Sequence, residues 1–218
     1  MRKFLVRTLM VGGAAAAAVA LFTSQASAAS TVTITGGNTT FTATSTNTVL
    51  SDVTSGQSFR CTSSVAKGSI ANVSMHALPY TTTQTGGTPH SITSLTFSGC
   101  SSSFGAATVT VPPTDLPDDL TINSVSTTAP QATGIVKTAA TSTDLAHVSV
   151  LTCSFNVTGS APATWTNGPS GQLNFTGGAG LHPANVGFGC VGFVAATDTV
   201  SYTGTYSVVP ATITVSTP

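Results

Sequence analysis

The sequence predicts an all-β protein, an antiparallel β-sandwich or barrel made of about a dozen short strands. Short runs in which apolar residues alternate with Thr or Ser recur along the chain, and clusters of Gly, Pro and Asn separate them. Such alternation places apolar side chains on one face of a strand, and a spacing of roughly 8–12 residues is typical of sandwiches and barrels. Of the 190 residues after position 28, 65 are Ser or Thr and none is Glu. This composition favours strands and turns over helices.

The first 28 residues carry the three parts of a secretory signal. Three basic residues lie within positions 1–7, an apolar and small-residue run of 14 residues follows at 9–22, and Ala-Ser-Ala at 26–28 forms a cleavage site. The run is shorter than the roughly 20 residues that a membrane-spanning helix needs. We therefore expect cleavage after Ala28 and a mature protein that is secreted, or held at a cell surface, without a transmembrane helix.

Alternation predicts the strands in order along the chain. It is clearest at Thr31–Thr35, and Phe41–Thr44 alternates likewise, so that the Gly-Gly-Asn at 36–38 between them predicts a hairpin. The other candidate strands of the first half are Ser58–Thr62, Ile70–His76, Ile92–Phe97, Ala107–Val111 and Leu120–Val125. Those of the second half are His147–Val157, Ala163–Thr166, Leu173–Thr176, Val186–Phe188, Asp198–Val208 and Ala211–Ser216. Residues 127–145 lack the pattern and predict a linker or long loop, with one helical turn near 138–146.

Two segments framed by cysteines resemble each other. Phe104–Val111 and Phe193–Val200 are identical at six of eight positions, and each follows a Gly-Cys pair by three or four residues. We interpret residues 55–112 and 146–208 as two copies of one β-unit, although chance similarity in an Ala- and Thr-rich chain is the alternative. The predicted organisation is a first β-unit at 29–126, the linker at 127–145 and a second β-unit at 146–218, with 29–218 packing as one domain as the alternative.

The four cysteines predict two disulfides. An even number of cysteines after a secretory signal is typical of a disulfide framework, and four cysteines allow three pairings. If the two units are copies, the natural pairing is within each copy, which joins Cys61 to Cys100 and Cys153 to Cys190. Close C-x-x-C pairs are absent, which argues against a zinc site and against a redox motif.

The charged residues exclude several function classes. After position 28, three basic residues stand against six aspartates, so the net charge is −3. Three scattered cations do not form the basic face that nucleic acid or an anionic membrane requires. The basic residues are Arg60, Lys67 and Lys137.

No catalytic motif is present, and we expect no enzyme activity, cofactor or metal. The chain lacks the Glu of H-E-x-x-H, and Gly168–Gly171 is one glycine short of G-x-S-x-G. The adjacent Asp118 and Asp119 are expected to point to opposite faces and to solvate a turn, and with Asp115 they form the one acidic group that calcium could use. The histidines are scattered, and each is expected to be a single satisfied or exposed side chain, with a spatial cluster as the alternative: His76, His90, His147 and His182.

Aromatic side chains are the remaining candidates for ligand binding. A sugar or an apolar ligand could stack on Trp165, Tyr80, Tyr202 or Tyr206. The alternative is that these rings are part of the hydrophobic core, which for the lone Trp165 is the favoured interpretation.

The Ala-rich signal and the Ala-, Thr-, Gly- and Val-rich remainder resemble small secreted proteins of high-GC Gram-positive bacteria. Among these the chain is similar in type to the enediyne-binding apoproteins, which are acidic, hydroxyl-rich β-sandwiches with two disulfides. Their chains and cysteine loops are shorter, and no motif of theirs matches residues of this sequence. The resemblance therefore implies the fold type and carries over no ligand site.

Three functions follow from the sequence as hypotheses. The first is a secreted or cell-surface structural or interaction protein without catalytic activity, which acts as an envelope component or by self-association. The second is a carrier that binds a small apolar ligand in a β-cavity. The third and weakest is a hydrolase with a dispersed site.

Overall fold

The computed structural model describes residues 31–81, 91–138, 143–178 and 180–218. These residues form sixteen strands, all paired antiparallel, and two 3₁₀ turns, Pro113–Asp115 and Phe188–Cys190. The first nine strands are β1 (Thr31–Thr35), β2 (Thr39–Ser45), β3 (Thr48–Asp52), β4 (Ser58–Ile70), β5 (Val73–Ala77), β6 (Tyr80–Thr81), β7 (Ser91–Ser102), β8 (Gly105–Thr110) and β9 (Asp118–Val125). The other seven are β10 (Ala132–Thr138), β11 (Asp144–Val150), β12 (Cys153–Thr166), β13 (Gly171–Thr176), β14 (Leu181–Ala184), β15 (Val200–Val209) and β16 (Thr214–Ser216). The predicted all-β class is confirmed.

No helix in this described part of the chain has the length and apolar character that crossing a membrane requires. The predicted secretory signal lies outside the described residues.

The strands form two closed rings in which each strand is hydrogen-bonded to the next, and four long strands belong to both rings. One ring passes in order through β4, β7, β9, β10, β12, β13, β15 and β2 and returns to β4. The other passes through β4, β7, β8, β11, β12, β14, β15 and β3 and also returns to β4. Because β4, β7, β12 and β15 are 10–14 residues long, each pairs with different neighbours along its two halves. The result is a barrel-like arrangement of two stacked rings.

Each ring encloses its own hydrophobic cluster. The first ring surrounds a cluster that includes Phe41, Val136 and Tyr206, and the second surrounds one that includes Phe59 and Phe155. The alternation seen in the sequence produces this arrangement, because every second side chain of a strand points inward. The two predicted units therefore pair with each other around both rings and share both clusters.

A three-stranded sheet of β16, β1 and β5 packs on the first ring. This sheet makes the predicted β1–β2 hairpin wrong, since β1 pairs with β5 and β16 whereas β2 pairs with β4 and β15. Between them, Gly37 N–H donates to Asn72 Oδ1 at 2.7 Å, and a Cβ on Gly36, where φ is +71°, would overlap the Thr212 carbonyl. The glycines carry the chain from one sheet to the other.

Several predicted elements differ from the observed ones. Residues 147–157 form two strands, because Leu151 adopts a left-handed conformation, φ +51°, in a tight turn. Residues 186–188 form no strand and lead into a 3₁₀ turn. Strand β10 lies inside the stretch that was predicted as a linker or loop. The sequence pattern also missed β3 and β14, which are short and complete the second ring.

Two disulfides are present with the predicted pairing. Cys61 and Cys100 are directly opposite each other on β4 and β7, and Cys153 at the start of β12 is joined to Cys190 in the second 3₁₀ turn. Each disulfide thus joins one of the long strands of the rings covalently to another part of the chain. Such bonds are typical of an oxidising environment and rare in the reducing cytosol.

A glycine precedes the second cysteine of each bridge because a side chain there would meet a threonine. A Cβ on Gly99, where φ is +59°, would overlap the Thr62 hydroxyl, and a Cβ on Gly189 would overlap the Thr152 carbonyl oxygen. Each threonine is the chain neighbour of the first cysteine of the same bridge. The repeated Gly-Cys pair thus has the same packing role in both places.

The two similar eight-residue segments adopt different structures. Residues 105–110 form β8, whereas residues 194–199 form no strand and contain a turn at 196–197. Their leading rings, Phe104 and Phe193, contact each other with centroids 4.0 Å apart. The duplication of the unit stays a prediction.

Candidate binding cavity

An apolar cavity lies between the two hydrophobic clusters, and we call it the Tyr206 cavity. Its volume is about 90 Å³, and side chains from both rings line it. Phe175 and Tyr202 pack against both clusters and mark the junction. Among the other lining residues are Phe59, Leu95, Val148, Ala161 and Leu181.

The tyrosine hydroxyls of this cavity are satisfied by the protein. Tyr202 and Tyr206 share a hydrogen bond of 2.6 Å, and a second of 2.6 Å joins the Tyr206 hydroxyl to that of Ser64. Burial raises the pKa of both tyrosines, that of Tyr202 well above its ordinary value. The chain of hydroxyls therefore stays neutral and links β15 to β4 across the first ring.

Asp118 is the polar group of the cavity that lacks a partner. It begins β9 and lies opposite Ile92 of β7 and Thr138 of β10. Its side chain lines the Tyr206 cavity with 1 % of its surface exposed, and neither carboxyl oxygen has a hydrogen-bond partner within the described residues. Burial, followed by the negative charges of Asp119 and Asp115, raises the pKa of Asp118 to about 8. The carboxyl is thus largely protonated at neutral pH.

Acidic groups surround this position. Asp119 is 8 % exposed, and its pKa is raised by burial although the positive charge of Lys137 acts in the opposite direction. The prediction that Asp118 and Asp119 solvate a turn is therefore wrong. Both belong to β9, and both side chains are buried.

Asp115 and Asp144 converge on the ring of His147. The His147 Nε2 atom lies 2.7 Å from Asp115 Oδ2 and 3.9 Å from Asp144 Oδ2, and Asn156 Nδ2 donates to Asp144 Oδ2 at 2.6 Å. One ligand atom from each of the three residues lies within 4.8 Å of the others, a spacing that one cation could bridge. The acidic cluster of the structure is thus built around His147, whose ring is satisfied by a carboxylate.

A second cavity of about 80 Å³, the Trp165 cavity, lies between the first ring and the three-stranded sheet. Trp165 and Tyr80 line it together. Trp165 Nε1–H donates to Asn167 Oδ1 at 2.7 Å, while the Asn167 side chain also accepts from and donates to the backbone of Val215 in β16. Asn167 thus fixes both the indole and the edge of the small sheet, which supports a packing role for Trp165.

The sequence-predicted aromatic residues are therefore divided between two cavities. Tyr80 and Trp165 share one, and Tyr202 and Tyr206 share the other. Of the remaining histidines, His76 packs on Tyr80 with ring centroids 5.0 Å apart. The ring of His182 contacts the Asp198 carbonyl at 3.3 Å, and His90 lies outside the described residues.

Sequence reasoning missed Asp118 as a cavity residue, yet the alternation of β9 contains the signal. Positions 118, 120 and 122 share one face of the strand, and Leu120 and Ile122 pack against the first hydrophobic cluster. Continuing that pattern back by two residues places Asp118 on the apolar face.

Comparisons with known proteins identify no relative. No protein-family model, no curated protein and no solved structure matches this chain.

Proposed function

We propose that this protein is an exported, non-catalytic carrier that binds a small, mainly apolar molecule in the Tyr206 cavity. The observation that carries the proposal is an apolar cavity, enclosed by closed rings of strands, in which one buried polar group has no partner among the described residues. Ligand sites commonly combine apolar walls with very few polar groups that fix orientation. The two disulfides and the secretory signal support export.

The size of the cavity limits the ligand. An engineered apolar cavity of about 150 Å³ holds benzene, with six carbon atoms. By proportion, the 90 Å³ of the Tyr206 cavity suit a molecule of about four non-hydrogen atoms.

The hydrogen bonds of His147 support a non-catalytic role. A hydrolase triad needs a nucleophilic hydroxyl within hydrogen-bond reach of the histidine. Within residues 31–81, 91–138, 143–178 and 180–218, the hydrogen-bond partner of this ring is the Asp115 carboxylate.

Cyclopropane, a neutral three-carbon probe, tests the cavity directly. We expect saturable shifts of the methyl NMR signals of Val148, Val157 and Leu181 in the wild-type protein. In the variant Ala161→Val the added methyl groups occupy the cavity, so these shifts should be lost.

The matched control is Ala163→Val. Ala163 lies two positions further along β12 on the same face, with similar burial, but it lines the Trp165 cavity. It should keep the wild-type response at the three methyl residues. Absence of any saturable shift in the wild type would contradict the proposed function.

A second candidate, an interaction protein of a cell surface, is favoured by exposed apolar side chains near the second disulfide. Phe188 is 95 % exposed, Val191 77 % and Leu151 76 %. With a net charge of only −3 after the signal, electrostatic repulsion between copies is weak. Sedimentation velocity of wild type and Phe188→Ser would separate the candidates, because self-association that the substitution abolishes supports this second function.

A further inference from the structure

We propose that the ligand of the Tyr206 cavity is a small aliphatic amine whose ammonium group pairs with the carboxylate of Asp118. This inference rests on the proposed function and adds to it the chemical class of the ligand. It stands on the burial of Asp118, its position in the cavity wall and the charges around it.

An unpartnered buried carboxyl is costly for the fold. Removing a polar group from water without a hydrogen bond destabilises a protein, and the cost is larger for the charged form. Both carboxyl oxygens of Asp118 lack a hydrogen-bond partner within the described residues, so this destabilisation applies to each of them. The pairing of β9 with strands on both sides does not remove it. A ligand that brings hydrogen-bond donors into the cavity would remove the cost.

The charges near Asp118 favour a cation over an anion. The charged groups that act on it are Asp119 on its own strand and Asp115 in the 3₁₀ turn, and Asp115 is in turn close to Asp144 and His147 of β11. Lys137 of β10 acts on Asp119, and among the described residues that line the cavity none is Lys or Arg. Anions are repelled by this arrangement, whereas an ammonium group is attracted.

The tyrosine hydroxyls of the cavity do not favour an anion over a cation, because they are already hydrogen-bonded within the protein. Tyr202 and Tyr206 hydrogen-bond to each other and, through Ser64, to β4. The rest of the wall is mainly aliphatic and aromatic, which suits a short alkyl chain. With room for about four non-hydrogen atoms, n-propylamine is the probe of choice.

Binding has a defined proton balance. Free n-propylamine is an ammonium ion at neutral pH, while Asp118, with a pKa of about 8, is largely protonated. Formation of the ammonium–carboxylate pair therefore releases the Asp118 proton to solvent, and no covalent bond forms. Affinity should rise about tenfold per pH unit below pH 8 and level off above it.

Isothermal titration calorimetry tests the inference with three probes of four non-hydrogen atoms each: n-propylamine, 1-propanol and acetate. At pH 8.5 we expect the amine to bind about 10- to 100-fold more tightly than the other two, the range of one charged hydrogen-bonded contact. At pH 6.5, titrations in buffers of different ionisation enthalpy should show release of about one proton per amine bound.

Two variants and a control locate the contact. Asp118→Asn should lose the preference for the amine and the proton release, yet should bind cyclopropane like the wild type. Ala161→Val should lose both ligands. The control Asp198→Asn removes another buried aspartate that is not part of the cavity wall, and it should bind the amine like the wild type.

The outcomes separate this inference from the proposed function. Cyclopropane binding without a preference for the amine would overturn the inference and leave the carrier function standing. If neither probe binds, both are wrong. An amine preference that persists in Asp118→Asn, or amine binding that survives Ala161→Val, would place the amine elsewhere, for example at Asp115 and Asp144, and would also overturn the inference.

Discussion

Replacing Asp118 by asparagine measures how strongly the cavity opposes a charge on this side chain. The pKa of Asp118 is about 8, far above the ordinary aspartate value of 3.8. Asparagine and a protonated aspartate have nearly the same shape and polarity. We therefore expect wild type and Asp118→Asn to have similar free energies of unfolding near pH 4, where Asp118 is protonated in the folded protein.

The free energies of unfolding of the wild type and Asp118→Asn should differ more and more as the pH rises. Between pH 4 and pH 8 the unfolded wild type has lost the Asp118 proton while the folded wild type retains it. The folded state thus binds more protons, and the free energy of unfolding falls with increasing pH until both states are ionised above pH 8. At about 1.4 kcal/mol per pH unit, the upper limit of this loss is about 5 kcal/mol over the window. The asparagine variant lacks this titration.

Urea unfolding followed by Trp165 fluorescence, at each pH unit from 4 to 9, provides the assay. Between pH 4 and pH 8, we expect the free energy of unfolding of Asp118→Asn to rise relative to that of the wild type by at least about 2 kcal/mol. A difference that stays constant across this range within about 0.5 kcal/mol, the ordinary size of a neutral surface substitution, would refute the burial of an unpartnered carboxyl.

Asp52 provides a control, because its effect on stability changes with pH in the opposite direction. Burial works to raise its pKa, but hydrogen bonds with Ser55, the Asp198 side chain and Thr54 bring the pKa below the ordinary aspartate value of 3.8. Its ionised form therefore contributes stability above pH 4, and this contribution is lost as the pH falls through the lowered pKa. Asp52→Asn should be less stable than the wild type at pH 7, with the difference shrinking toward pH 3.

Three further substitutions test the packing around the cavities. Asn167→Ala should lower the free energy of unfolding by about 2–3 kcal/mol, because it leaves the Trp165 indole N–H and β16 backbone groups unpaired, and tryptophan fluorescence should shift in the folded protein. Gly99→Ala should cost about 1–3 kcal/mol through its positive φ and the overlap with Thr62, measured by urea unfolding with the disulfides intact. Tyr206→Phe should cost about 1–3 kcal/mol by breaking the buried chain of hydroxyls, and wild-type stability in the variant would contradict the observed hydrogen bonds.

The sequence allowed correct prediction of elements whose determinants are local. Strand β1 matches its predicted bounds, Thr31–Thr35, because polar and apolar side chains alternate there without interruption. The disulfide pairing was also predictable, since the spacing of the cysteines repeats. In both cases a short stretch or a simple spacing contains the whole signal.

The pairing of strands was harder to predict because distant residues determine it. The Gly-Gly-Asn at 36–38 has the chemistry of a hairpin, yet β1 forms its hydrogen-bonded pairs with β5 and β16 and not with β2. The two rings depend in the same way on long strands that change partners midway along their length. No local pattern reports where such a change occurs.

The candidate site was the least predictable part. Asp118 and Asp119 follow Leu116 and Pro117, a sequence typical of a solvated turn. Tertiary packing overrides that preference by placing β7 and β10 on either side of β9. A buried, unpartnered carboxyl violates the usual distribution of charged residues, and such exceptions are expected where a protein binds a ligand.

A crystal structure of the protein grown with n-propylamine at about pH 8.5 would show whether the amine binds beside Asp118. We expect electron density for the amine inside the Tyr206 cavity, with its nitrogen within about 3 Å of an Asp118 carboxyl oxygen and its carbon atoms against Val148 and Leu181. A cavity that holds only ordered water hydrogen-bonded to Asp118, or that is closed by repacked side chains, would contradict it.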